Sequence, residues 1–136
     1  MTATPNEELI DAAQAVLKPH AVEGRLFGDV ASTLVTDRGT RYSGVCIDTA
    51  SGTGFCAEHS AIAAMVTAGE YRIAKIVAVW RHEDGALHVL APCGRCREFI
   101  QQIDPANIDT EVVLSQDRSA RLRELLPFNE WSAPVG

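Results

Sequence analysis

The segment from Ile73 to Trp80 is almost continuously apolar. It is far too short for a membrane span. It ends near the turn pair Asp84-Gly85, so it reads as a strand buried on both faces. A strand hidden on both sides needs a covering layer above and another below. The rest of the chain has the pieces to supply them. Leu9, Ile10, Ala13, Val16 and Leu17 recur at helical spacing after Thr4-Pro5-Asn6-Glu7, which has the form of a capping box with Pro5 at the first helical position. A second helix is predicted over 56–68, with Gly69 ending it. A third runs over 93–103 and a last over 118–126, stopped before Pro127. Strands are predicted at 30–36, 41–48, 73–80, 87–90 and 112–115, with Asp37-Arg38-Gly39 as a hairpin turn. Residues 20–28 read as loop and 50–54 as a flexible connection. The expectation is an α/β fold, a three-layer α-β-α sandwich around one mixed central sheet of about five strands. At 136 residues the chain is the size of a single domain, 1–136.

Charge narrows the partners. Twelve Lys and Arg stand against eighteen Asp and Glu, a net charge of −6. A nucleic-acid polymer or an anionic membrane surface calls for the opposite sign, so the expected partner is a small molecule. The first residues, Met1 to Glu8, are polar and acidic, unlike the basic and then apolar start of a secretory signal. The chain therefore reads as cytoplasmic, a compartment in which thiols stay reduced. Clustered cysteines there bind metal or do redox chemistry more often than they form disulfides.

The four cysteines are Cys46, Cys56, Cys93 and Cys96. Two motifs hold three of them: Cys56-Ala57-Glu58 and Pro92-Cys93-Gly94-Arg95-Cys96, each at the start of a predicted helix. A helix N-terminus favours thiolate, the form that a metal needs. Cys93 and Cys96 are three apart and face the same way on a helical turn. With Cys56 they make three zinc ligands and leave a fourth position open, as in catalytic zinc sites. Glu58 is placed to act as a proton carrier without binding the metal.

The paired motifs resemble those of the cytidine deaminase family, the small zinc-dependent type with three cysteine ligands. The likeness extends to Val30-Ala31-Ser32, Tyr42-Ser43-Gly44-Val45 and Arg123-Glu124-Leu125-Leu126-Pro127. The run Cys-Gly-Arg-Cys-Arg and the short glycine-containing loop before Cys56 look particularly like blasticidin S deaminase. The resemblance implies one Zn2+ per chain and a hydrolytic reaction that replaces an exocyclic amine by a carbonyl and releases ammonia. It implies Glu58 as the catalytic residue. The Ala57 N–H and the carbonyl near Ala91 would orient the amine-bearing edge. It also implies a homotetramer.

Three thiolates around one zinc sum to −1, so the resemblance asks for positive charge nearby. Arg97 matches a family arginine that donates to a ligand sulfur. His59 stands where the family often carries a second arginine, and Pro92 flanks the ligand turn. On the substrate side, the family holds ribose with an Asn and, two residues later, a Glu. Cys46 and Asp48 occupy those places. The family's stacking aromatic falls on Gly28, beside Phe27. Trp131 and Phe128 are candidates to close a pocket, that of a neighbouring subunit included. These departures leave cytidine or deoxycytidine competing with blasticidin S or a modified base. Two other classes remain open from the residues alone. One is a binding module whose structural zinc uses all four cysteines. The other is a thiol redox protein using Cys93 and Cys96.

Overall fold

The computed structural model describes residues 4–136. Met1, Thr2 and Ala3, read above as part of a polar N-terminus, lie outside the described residues. The element order is α1 (Asn6–Gln14), β1 (His20–Val22), β2 (Arg25–Thr36), β3 (Arg41–Asp48), α2 (Ala57–Thr67), β4 (Ile73–Arg81), β5 (Leu87–Leu90), α3 (Gly94–Ile103), β6 (Glu111–Ser115), β7 (Arg118–Arg121) and α4 (Leu122–Leu125).

Among the described residues, one sheet collects seven strands rather than about five. β2 lies between β3 and β4, and β4 between β2 and the pair β5 and β6; β1 extends β2 and β7 closes the far edge. Among the described strands only β4 and β6 run parallel, so the sheet is mixed. The two extra strands are those that hydrophobic patterning does not signal. β1 is three residues long and mostly exposed. Backbone pairing across a two-residue turn creates it: Glu23 and Gly24 take φ 46° and 81°, the doubly positive geometry of tight hairpins. β7 is Arg-Ser-Ala-Arg, which pairs with β6 from Glu111 opposite Arg121 onward. The helix expected over 118–126 is therefore cut to the four residues of α4.

The burial of β4 on both faces follows from side-chain alternation in three adjacent strands. Leu34, Ile76 and Val112 face Ile62 and Met65 of α2, Ile100 of α3 and Leu122 of α4. Their immediate neighbours Val35, Val77 and Val113 face Leu9, Ile10 and Ala13 of α1. That gives the three layers. Pro5 precedes α1 as its N-cap, with ψ 150°, instead of occupying the first helical position, and no side chain caps that end.

Two glycines bring the elements that carry the motifs into place. A Cβ on Gly44 of β3 would lie 2.4 Å from Ser60 Cβ and 2.5 Å from the Ala61 nitrogen. The bare backbone is what lets α2 settle against β3, where Ser60 Oγ donates to the Val45 carbonyl at 2.7 Å. Gly44→Ala must push the helix away, and overpacking of this kind costs about 1–3 kcal/mol. A drop of that size is expected in denaturant unfolding, and wild-type stability would contradict the close approach. A Cβ on Gly54 would fall 2.0 Å from the Ile47 carbonyl oxygen. The connection 50–54, expected to be flexible, is instead pinned. It forms a 3-10 turn at Ala50–Gly52, and Ile47 and Phe55 then exchange both backbone hydrogen bonds, at 3.0 and 2.9 Å.

Candidate active site

The pinned connection delivers the chain into α2 at Cys56, and the turn after β5 delivers it into α3 at Cys93. Both cysteines are N-cap residues in the same extended conformation, φ −70°, ψ 160° and φ −67°, ψ 169°. Cys96 follows in the first turn of α3 and is buried. Cys93 Sγ lies 3.7 Å from Cys56 Sγ and 3.5 Å from Cys96 Sγ, and all three sulfurs lie within 4.8 Å of one another. Zinc–sulfur bonds of about 2.3 Å in a tetrahedron set sulfurs about 3.8 Å apart. The three thiols therefore fit a zinc ion, with a fourth corner left for water or substrate.

The two helix ends shape the thiols differently. Burial pushes Cys93 up, but the Cys96 and Arg95 backbone N–H groups and the neighbouring thiols outweigh it and leave it below its ordinary pKa. Burial raises Cys56, and burial together with the Glu58 carboxylate raises Cys96. The first two turns of these helices thus hold three sulfurs whose protons a metal ion would displace.

Glu58 sits two residues beyond Cys56 in the first turn of α2 and is only 6% exposed. Ala78 of β4, Leu90 of β5 and buried Pro92 wall its surroundings. Burial holds its carboxyl above the usual range, so it takes up a proton more readily than a surface glutamate. His59 is also buried. Its ring stacks on Phe99 with centroids 4.2 Å apart, and its Nδ1 lies 3.5 Å from Cys96 Sγ. Burial, and after it the charge of Arg95, lowers its pKa. The neutral ring can present an N–H to the Cys96 sulfur.

Arg97 behaves otherwise than the resemblance implied. Its hydrogen bonds go to two backbone carbonyls and not to a ligand sulfur: Nε donates to the Pro92 oxygen at 2.8 Å and Nη1 to the Leu125 oxygen at 3.2 Å. One turn beyond Cys93, its planar fork reaches back across the ligand turn and ties it to the end of α4.

Beside Cys56, the one cysteine of the cluster that lines it, lies an open cleft of about 390 Å3. Cys56 lines it together with Cys46, Asp48, Asp29, Phe55 and Arg95. Three expected residues do not line it: Ala57, which is fully buried, Phe27 and Trp131. Phe27 pairs with Ile47 in the sheet and stacks on His20 at 6.3 Å; strand alternation puts it on the face opposite Cys46 and Asp48. Trp131 is 79% exposed and lines a separate cleft with Gln101, Gln102 and Pro105. Within one chain it does not close the pocket, and Phe128 is fully exposed. Sequence reasoning missed Asp29, Phe55 and Arg95. Arg95 lies inside the Cys93–Cys96 motif and was findable from its place in the first helical turn. Asp29 carries no local signal.

Cys46 is not part of the sulfur cluster. Its thiol donates to Asp29 Oδ1 at 3.1 Å, which removes it from a closed four-cysteine site. Cys46→Ser is expected to keep its zinc stoichiometry by metal analysis; loss of the metal would bring the closed site back.

The sequence also matches, over residues 4–112, the family model described as the cytidine and deoxycytidylate deaminase zinc-binding region. The chain belongs to that deaminase family. Solved structures of similar fold include the cytidine deaminase of Burkholderia pseudomallei, 31% identical over 94% of this chain and 98% of that one, with a TM-score of 0.72. Another is the cytidine deaminase of Mycobacterium leprae, 25% identical over 89% of this chain and 96% of that one, also at 0.72. A search among curated proteins found no match. The protein is a zinc-dependent hydrolytic deaminase, and Cys56, Cys93 and Cys96 are the cluster suited to its metal. Among the described residues, no helix of this deaminase is long and apolar enough to cross a membrane.

Proposed function

We propose that this deaminase acts on a cytidine-like nucleoside or a related aminopyrimidine compound, with residues 1–136 forming one catalytic domain. The observation that carries the reading is the placement of buried Glu58 beside three clustered sulfurs at two helix N-termini, with an open cleft bordered by Cys56. Overall, water adds to the carbon that bears the exocyclic amine, the C–N bond breaks, and ammonia leaves behind a carbonyl. Zinc, when bound, supplies a water acidic enough to attack near neutral pH. Glu58 would accept a proton from the attacking water and deliver it to the ring nitrogen, then take the proton of the added hydroxyl and pass it to the departing amine as the carbonyl forms and the C–N bond breaks. Ala57, at the N-terminus of α2, offers its backbone N–H to the substrate edge, and the Ala91 carbonyl accepts from the amine. His59 and Pro92 hold the ligand turn, and Arg97 anchors it to α4. The thiol ligands suit a reducing, cytoplasmic setting. The exposed Phe128 and Trp131 suit contacts between copies, and we place them in a homotetramer.

A second reading is favoured by one observation. Cys46 donates its one hydrogen bond to Asp29, so it cannot serve a ribose hydroxyl as an amide would. Blasticidin S or a modified base is then the alternative substrate. An ammonia-release screen of the zinc-loaded protein separates the two. It should cover cytidine, deoxycytidine, cytosine, modified cytosines and blasticidin S. Preference for cytidine or deoxycytidine supports the first reading, preference for blasticidin S or a modified cytosine supports the second, and release from none of them refutes both.

A further inference from the structure

β2 does not run evenly into its hairpin with β3. Its pairing slips between Phe27 and Ala31, and Gly28 inside the slip has φ +73°. A Cβ on Gly28 would lie 2.2 Å from the Lys18 carbonyl oxygen, and the Gly28 carbonyl accepts from the Lys18 N–H at 2.9 Å. Only glycine fits. Such bulges re-aim the side chains that follow them. The next residue is Asp29, and it lines the cleft that Cys56 borders, together with Cys46 and Asp48.

The chemistry of that wall is lopsided. Cys46 has one donor, and Asp29 Oδ1 occupies it at 3.1 Å. A carboxylate offers roughly four acceptor sites, so Asp29 keeps most of its capacity after binding the thiol. Asp48 is likewise acceptor-only when ionised. This side of the cleft therefore presents acceptors, while Arg95 and Thr49 bring donors elsewhere in the lining, and it suits a part of the ligand that brings donors. We infer that Asp29 is a specificity-determining residue, recognising through its carboxylate the hydroxyl groups of a sugar-like substituent on the ring that is deaminated. Cys46 orients that carboxylate and does not itself hold the substrate. The inference rests on the deaminase reading above and adds what the substrate must carry.

The test compares cytidine with 1-methylcytosine, which has the same reacting edge and no hydroxyl groups. Hydrogen bonds to a charged acceptor are worth about 10- to 100-fold. In Asp29→Ala, the ratio of kcat/KM for cytidine over that for 1-methylcytosine is expected to fall by that factor, mostly through KM. Asp29→Asn, which keeps one acceptor oxygen, should recover part of the ratio. A merely structural role would depress both substrates alike and leave the ratio at the wild-type value, which overturns the inference. Binding read by calorimetry on zinc-loaded Glu58→Gln protein makes the result independent of turnover. Cytidine should bind that protein about 10- to 100-fold more tightly than the Asp29→Ala, Glu58→Gln double variant. Equal binding, or none with Asp29 present, overturns the inference. Binding without turnover by the wild-type protein would instead sink the substrate reading and leave the role of Asp29 standing.

Discussion

Glu58→Gln is expected to cut ammonia release by about 1,000-fold or more while the protein keeps its zinc. The size follows from the job: proton transfer by a positioned side chain is worth about 100- to 10,000-fold, and Glu58 serves in more than one transfer. Gln fills the same space between α2 and the β4–β5 wall, where Glu58 is 6% exposed. It can accept and donate hydrogen bonds but cannot carry a proton. Glu58 is also outside the sulfur cluster, so metal content should not move. The measurement is a coupled assay of ammonia alongside zinc analysis of the same sample. Turnover within a few-fold of wild type would falsify the assigned role. Loss of zinc together with activity would make Glu58 a support of the metal site instead.

Cys96→Ala is expected to lose the metal and, with it, all turnover. Outer partners of metal ligands are already worth about 10- to 100-fold in affinity, so removing a ligand should exceed that. The thiol is 1% exposed beside Ile100 in the first turns of α3. Alanine removes the sulfur and keeps a good helix former in the first turn of α3, at the cost of a small buried void. Thermal unfolding separates the two consequences. A ligand present at about 1,000 times its Kd stabilises the folded state by about 4 kcal/mol. Added zinc should raise the melting temperature of the wild-type protein and leave that of Cys96→Ala where it was. Equal stabilisation of both would show that the zinc sits elsewhere.

Residues that sit next to one another in the chain were the ones sequence reading could place. Cys56 and Glu58, or Cys93 and Cys96, are held at fixed spacing by a single helical turn, so their shared direction follows from local geometry. The double burial of β4 follows from its composition, and its covering layers from the helical spacing of α1 and α2. What local patterns could not supply is pairing. β1 and β7 exist because their backbones find partners, not because their side chains alternate. Arg97 has the chemistry to neutralise a sulfur, yet the end of α4 supplies it with a carbonyl that no local pattern announces. Phe27 neighbours the expected stacking position in sequence, but one step along a strand reverses the face.

The cleft is the sharpest instance. An α/β chain with a three-cysteine zinc motif and a glutamate beside it is legible from local spacing, because each motif lies within a few residues of chain. Which side chains line the cleft beside Cys56 depends on long-range pairing. A slip in the pairing of β2, enforced at Gly28 by the nearby Lys18 carbonyl, turns Asp29 toward Cys46 across the sheet. That contact depends on register between two strands, and register is set by long-range packing that no short stretch of sequence contains.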